Sequence, residues 1–322
     1  MNEVASYQLL EPIGHGALGE AFRARDTVHG RTVVVKRVPL ELSGDDAWLS
    51  RFRDTCAEVS VVSHPGVAML YECGSHEGQT FVAQEFVAGQ SLTALLAGRP
   101  LNPRRALEIA IEMADALAAL HTAGLTHGDL RPDTVIVTQK GHVKLVDAGL
   151  SAFTGGGRMR QLAAADPESI PASGASVVKY LSPEQALGQV GDARSDLFAL
   201  GSVLYEMLTG QPAFERASAS ETVLAVVGDP AARPSARQPA VPHALDAAVA
   251  RLLAKPVDRR YQSASAFGDG LRALKPIFDE PVDELDTPGH APSGRRSRVL
   301  WWAVLATVFA AGITWLLLRS GS

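Results

Sequence analysis

Two stretches of the chain hold residues that could grip a phosphate and move a proton. Gly14-His-Gly16-Ala-Leu-Gly19 has the GxGxxG spacing of phosphate-cradling loops, and the run Thr32-Val-Val-Val-Lys36 ends in an ammonium. Farther on, His127-Gly-Asp-Leu-Arg-Pro-Asp-Thr-Val-Ile-Val137 holds one acid placed to do chemistry, Asp129, among neighbours that look wrong for the task. Glycine spacing alone leaves two uses open. A dinucleotide-binding loop must open a helix, because the helix N-terminus holds the pyrophosphate. Here Glu20 to Arg25 leads through His29-Gly30 into the β-branched run Thr32 to Val35, so a hairpin is the better reading. Glycines at a hairpin tip let backbone N–H groups approach phosphates. By themselves, the hairpin and Lys36 are equally compatible with an ordinary turn and a solvated lysine.

The elements that must position these groups fall into two textures. Up to about residue 88, short β-type runs alternate with turns ("SYQLLEPI", "GEAFRARD", "RTVVVKRV", "VAMLYECG", "TFVAQEF"), which predicts an antiparallel sheet. Within it, "DDAWLSRFRDTCAEVSVVS" places Trp48, Phe52, Val59 and Val62 at helical spacing. After Gly89, "NPRRALEIAIEMADALAALHTAG" has Pro103 near its start and Gly124 past its end, the start and stop signals of a helix, and further helical stretches follow. The expected class is α+β: a sheet-rich part over 1–88 and a larger helical part over 89–274. With 322 residues and 46% apolar content the chain can bury a substantial core. A net charge of -5 and no clustered basic face argue against a nucleic-acid partner. Cys56 and Cys73 have neither CxxC spacing nor paired histidines, so neither a disulfide nor a zinc site is expected; both are read as buried free thiols in a reducing compartment.

The resemblance that orders these motifs is specific. "HGDLRPDTVIV" resembles the HRDLKPEN catalytic loop, "VKLVDAGLS" the DFG segment and "KYLSPEQALG" the APE segment of bacterial, eukaryotic-like serine/threonine protein kinases. "DARSDLFALGSVLYEMLTGQPAF" and "VDRRYQSASAF" resemble that family's later helical motifs, and the match runs from about Tyr7 to Leu274. It implies a bilobal protein-kinase fold that binds ATP and Mg²⁺. It also implies that Lys36 holds phosphates, Asp147 holds the metal and Asp129 positions the substrate hydroxyl, with Arg131 steadying the transferring phosphate. Nucleotide contacts would come from Ile13, Gly14, Gly16 and Gly19, from Ala21 and Val34 above the base, Ile136 below it, and Glu85 and Val87 at its edge. Asp196 would brace the catalytic loop, and Glu184 would pair with Arg260.

Several positions depart from the family pattern. Thr55 stands where a helix glutamate pairs with the lysine; Glu58 lies three residues on and reaches Lys36 only if the helix shifts by about a turn, while Asp54 points ~100° away. Thr134 replaces the asparagine of the second metal site and is a weaker ligand. Gly128 removes the arginine that clamps a phosphorylated activation loop, Arg131 is a planar fork in place of a lysine, and Val177 replaces a hydrogen-bonding threonine. Ala148 replaces the DFG phenylalanine, so looser packing is expected there. Three functions follow: a kinase acting on serine or threonine of cytoplasmic proteins, a pseudokinase that regulates partners by binding nucleotide or by shape, and, disfavoured because the later helical motifs follow the protein-kinase pattern, a small-molecule phosphotransferase.

Toward the end, "KPIFDEPVDELDTPGHAPSGRRSR" (275–298) reads as a flexible tether. Val299 to Leu318 is an uncharged run of 20 residues, long enough to span a hydrocarbon core of ~30 Å. Trp301, Trp302 and Trp315 sit near its ends, and Arg295, Arg296 and Arg298 before it outnumber Arg319 after it. The expectation is a single-pass anchor in the cell membrane, with the kinase-like part cytoplasmic, the lipid bilayer as partner and only the tail 319–322 outside. Dimerisation has no support in the sequence.

Overall fold

The computed structural model describes residues 3–278 apart from 17, 41–45 and 172–173. The tether beyond Phe278 and the apolar run 299–318 lie outside the described residues. Among the described residues, no helix is long and apolar enough to cross a membrane.

The first half is an antiparallel sheet of six strands: β1 (Glu3–Val4), β2 (Tyr7–Gly16), β3 (Gly19–Asp26), β4 (Arg31–Arg37), β5 (Leu70–His76) and β6 (Gln79–Glu85), in the order β1-β2-β3-β4-β6-β5. Helix α1 (Asp46–Ser60) is inserted between β4 and β5. Strand β4 shows why the β-branched run matters. Its period of two sends Val33 and Val35 into one apolar cluster with Tyr7, Leu9, Phe81 and Ala83, and leaves Val34 and Lys36 on the opposite face. A second cluster joins α1 to the sheet through Phe52, Cys56, Val59, Val82 and Val38, and Leu18, from the tip of the β2–β3 hairpin, is fully buried in it.

The second half is helical, apart from a three-stranded sheet of β7 (Gly89–Ser91), β8 (Val135–Thr138) and β9 (Val143–Leu145). Its helices are α2 (Leu92–Leu96), α3 (Pro103–Thr122), α4 (Gly155–Ala165), α5 (Ala175–Val178), α6 (Pro183–Ala186), α7 (Ala193–Thr209), α8 (Ala219–Gly228), α9 (Pro234–Arg237), α10 (His243–Leu252) and α11 (Ala264–Arg272). The expected start of α3 is realised by Pro103 in its first turn and the Asn102 side chain, which accepts from Arg104 N. Helices α3 and α7 form the centre of the large core with Leu107, Met113, Leu117, Leu200 and Leu204. The folded unit runs to Phe278, which packs against that core.

The reading of two free thiols is corrected. Cys56 of α1 and Cys73 of β5 form a disulfide, their Cα atoms 6.2 Å apart. The packing of α1 against the edge of the sheet brings them together, and sequence spacing carries no trace of that docking. Closing a loop this short is worth about 3 kcal/mol. Reductant is therefore expected to lower the urea midpoint of the native chain and to leave a Cys56→Ala/Cys73→Ala variant unaffected.

Glu184 and Arg260 form a two-pronged buried pair with both Nη–Oε distances 2.8 Å, and Arg260 is almost wholly buried. Burial raises the Glu184 carboxyl, but bonds from Arg260 and Ser195 outweigh it and hold the group at about 2, below its usual 4.5. A depressed acid contributes stability that is full above pH 4.5 and is lost as pH falls toward 2. Glu184→Gln is expected to cost about 3–5 kcal/mol near neutrality. In denaturant melts, the gap between wild type and variant should narrow below pH 4.5.

Candidate active site

A cavity of about 500 Å³ opens between the sheet and the catalytic stretch around 129–147. Ala21 and Val34 lie on one side and Ile136 on the other, with Glu85, Phe86 and Val87 at its edge and Ile13 and Gly14 at the hairpin. Lys36, Arg131, Thr134 and Asp147 supply its polar wall. The structure thus gathers most of the residues singled out above around one space. Gly16 and Gly19 pair to close the hairpin. Gly19 has a packing reason of its own: its φ is +109°, and a Cβ there would stand 2.3 Å from the Arg37 carbonyl oxygen. The Glu85 side chain is engaged away from a chemical role, accepting from Lys144 Nζ at 2.7 Å.

Lys36 pairs directly with Asp147 Oδ1, both side chains buried. Asp147 adopts a left-handed backbone, φ 62°. No carboxylate of α1 takes part among the described residues: Thr55 is half-buried, Asp54 and Glu58 are exposed, and Lys36 has Asp147 as its ion-pair partner. The shift of α1 that would carry Glu58 to Lys36 is absent, because Phe52, Cys56 and Val59 fix the helix face against the sheet and the disulfide ties it there.

Asp129 sits on a loop braced from below by Asp196, whose carboxylate accepts from His127 N and Gly128 N, each at 2.8 Å. Burial pushes the Asp129 carboxyl up, and the charges of Arg131, His127 and Arg160 only partly offset it. His127 is completely buried, which pushes its imidazole down and favours the neutral ring. Thr134 does not present a free hydroxyl: its Oγ1 donates to the Arg131 carbonyl at 2.9 Å and accepts from Arg131 N at 3.1 Å.

The segment after Asp147 covers the acid. Thr154, buried at the start of α4, places its Oγ1 3.4 Å from Asp129 Oδ2. Arg160 of α4 donates to the Gly128 carbonyl at 3.2 Å and to Ser151 Oγ at 3.4 Å. Gly128 has φ +74°, and a Cβ there would lie 2.2 Å from Ser151 Oγ, so no larger residue fits this arrangement.

Comparison with known proteins places this geometry. Residues 7–267 match the protein kinase domain family. The chain belongs to the protein kinase family. A probable serine/threonine-protein kinase of Streptomyces coelicolor is 36% identical over 295 residues, covering 89% of this chain and 42% of its own. The serine/threonine-protein kinase PknB of Mycolicibacterium smegmatis is 34% identical over 267 residues, covering 80% and 41%. The chain therefore spans about two fifths of the length of these curated relatives. The crystal structure of the Mycobacterium tuberculosis PknI kinase domain shares the fold, with a TM-score of 0.66 at 24% identity over 84% of this chain and 97% of that one. The architecture is thus a bilobal protein kinase of the bacterial serine/threonine type.

Within the protein kinase fold, some of the chain's departures are met by contacts that motif reading missed. Ala148 is buried in the helical core, and the aromatic contact to α1 comes from Phe153, whose ring centroid lies 5.3 Å from Trp48 and 5.2 Å from Phe52. The arginine absent at position 128 is answered by Arg160, which arrives from a different element. The family implies ATP and a divalent metal. Hard cations take oxygen ligands, and Mg²⁺ is commonly bound through one or two carboxylates plus phosphates and water. Asp147 fits that donor set; Thr134, its hydroxyl spent within the loop, does not.

Replacing Arg160 by Gln removes a cation that favours ionised Asp129. The Asp129 titration, followed by ¹³C chemical shift, is expected to move further above the usual carboxylate range. An unchanged titration would show that Arg160 does not act on this acid.

Proposed function

We propose that the protein is a serine/threonine kinase that transfers the γ-phosphoryl of Mg·ATP to hydroxyl groups of cytoplasmic proteins, and that residues 299–318 tether it to the cell membrane. One observation carries the catalytic reading: Lys36 and Asp147 meet at the wall of a cavity with apolar sides at Ala21, Val34 and Ile136, and the buried Asp129 follows on the adjoining loop. The tether rests on the uncharged run and the arginines that precede it.

In this mechanism the base lies between Val34 and Ile136. The phosphates would take the place of Asp147 beside Lys36, and Asp147 is the carboxylate that would hold the metal. The metal supplies neutralisation of the developing phosphate charge. Asp129 receives the proton of the attacking serine or threonine hydroxyl as the new O–P bond forms and the β–γ bridge breaks, releasing ADP. Arg131 lies 3.5 Å from Asp129 and steadies the transferred group. Because Thr154 and Arg160 cover Asp129, segment 150–165 must move before a protein hydroxyl can enter.

The pseudokinase reading is favoured by two observations: Thr134 is committed to its own loop, and Asp129 is covered. Radiolabelled phosphate incorporation separates the two. The kinase reading expects Mg²⁺-dependent incorporation that Asp129→Asn lowers by about 10²-fold or more. Incorporation equal in wild type and Asp129→Asn, with ATP still binding, would overturn it in favour of the pseudokinase.

A further inference from the structure

The disulfide between α1 and β5 is joined by packing to the segment that covers Asp129. Cys56 belongs to the same apolar cluster as Leu150 and Phe153 of that segment, together with Phe52 and Val59 of α1, and Cys73 packs against it. The fit is close at two points. Phe153 meets Trp48 and Phe52 edge to face, and a Cβ at Gly149 would stand 2.5 Å from Val59 Cγ2, so the backbone just after Asp147 lies against α1. Thr154, whose Oγ1 faces Asp129, directly follows Phe153 in the chain. Beside this seam the two elements flank a cavity of about 980 Å³, with Arg51, Asp54 and Thr55 on α1 and Ala152, Thr154 and Arg158 on the segment. The apolar seam is therefore where the position of α1 is passed to the cover.

The covalent tie can be opened from outside. Strand β5 is the outer strand of its sheet, and Cys73 is partly exposed, whereas Cys56 is buried. A dithiol attacks the sulfur of Cys73: the S–S bond breaks, and Cys56 leaves as a thiolate that takes up a proton. The second thiol of the reductant then resolves the mixed disulfide, which frees Cys73 as a thiol and leaves the reductant as its own disulfide. An oxidised dithiol reverses the exchange, taking back two electrons and two protons. In the cytoplasmic placement proposed above, dithiols keep most cysteines reduced, and the disulfides that do form there are usually transient and redox-sensing or catalytic. Two thiols need more room than two bonded sulfurs, and Cys56 sits in a cluster of buried side chains, so reduction moves α1 outward from β5.

We infer that the Cys56–Cys73 disulfide is a redox latch on the cover of Asp129: while it is intact, α1 holds segment 150–165 over the acid, and its reduction by a dithiol frees that segment to open. The inference rests on the kinase reading for its consequence, a rise in phosphoryl transfer on reduction, whereas the latch itself is read without nucleotide or substrate.

The test is amide hydrogen exchange of the full chain, with the disulfide intact and after reduction by dithiothreitol. Exchange in 150–165 is expected to quicken about tenfold on reduction, as it does when the open fraction rises by that factor, while α7 keeps its rate. Cys56→Ala/Cys73→Ala should show the quick rate with or without reductant. Phe153→Ala, which cuts the seam and leaves the disulfide, should show it in both redox states. The Asp129 carboxyl, followed by ¹³C shift, should fall toward the ordinary range on reduction, since burial is what raises it. Quickened exchange in α1 with 150–165 unchanged would reduce the disulfide to a staple of α1 and overturn the latch, as would an equal rise in α7, which marks general loosening. Phosphate incorporation tests the other reading separately. An opened segment without Asp129-dependent incorporation overturns the kinase and leaves the latch standing; Asp129-dependent incorporation with 150–165 unmoved by reduction does the reverse.

Discussion

The ion pair between Lys36 and Asp147 is the contact on which the active-site arrangement turns. It links the sheet half to the helical half across 111 positions of sequence, and both partners are buried. Two buried charges are tolerable only while each has the other, since removing one leaves an uncompensated charge. The pairing also explains how Lys36 manages without a carboxylate from α1 beside it. In the absence of nucleotide, Asp147 takes the position that Thr55 cannot fill. With nucleotide, the phosphates can relieve it, so the same lysine has a partner in either state.

A second constraint follows from the catalytic loop. Gly128 has no side chain, Ser151 fills the space a Cβ would need, and Arg160 reaches over to the carbonyl that is left. A side chain at 128 would meet Ser151, its Cβ 2.2 Å from Oγ and 2.8 Å from Cβ, on a left-handed backbone that side-chain-bearing residues rarely adopt. The substitution that looks in sequence like the loss of a phosphate clamp is, in the fold, the condition for a different contact. The cover over Asp129 is built from neutral and cationic groups of the chain itself, so Asp129 meets its ionised neighbours Arg131 and Arg160 before any substrate does.

Much of this was legible in the sequence, and the boundary has physical causes. Strand β4 announced itself through its β-branched run, while the aim of Lys36 and Val34 toward the site came only with the family resemblance. The helix signals at Pro103 and Gly124 bracket α3 closely. Motif resemblance supplied the grouping of Lys36, Asp129 and Asp147, because chemistry limits which residues can stand there. What sequence withheld depends on how elements dock. Cys56 and Cys73 meet through the angle of α1 on the sheet, and Phe153 replaces the missing DFG ring from five positions further on. Arg160 acts on a carbonyl 32 residues away.

The central claim, that Lys36 and Asp147 exchange each other for a nucleotide and its metal, is tested most directly by titrating the full chain with ATP with and without Mg²⁺. Wild type should bind Mg·ATP more tightly than metal-free ATP. Asp147→Asn should lose that metal dependence while still binding metal-free ATP through Lys36. Equal metal dependence in wild type and Asp147→Asn, or binding that Lys36→Met leaves intact, would contradict the account.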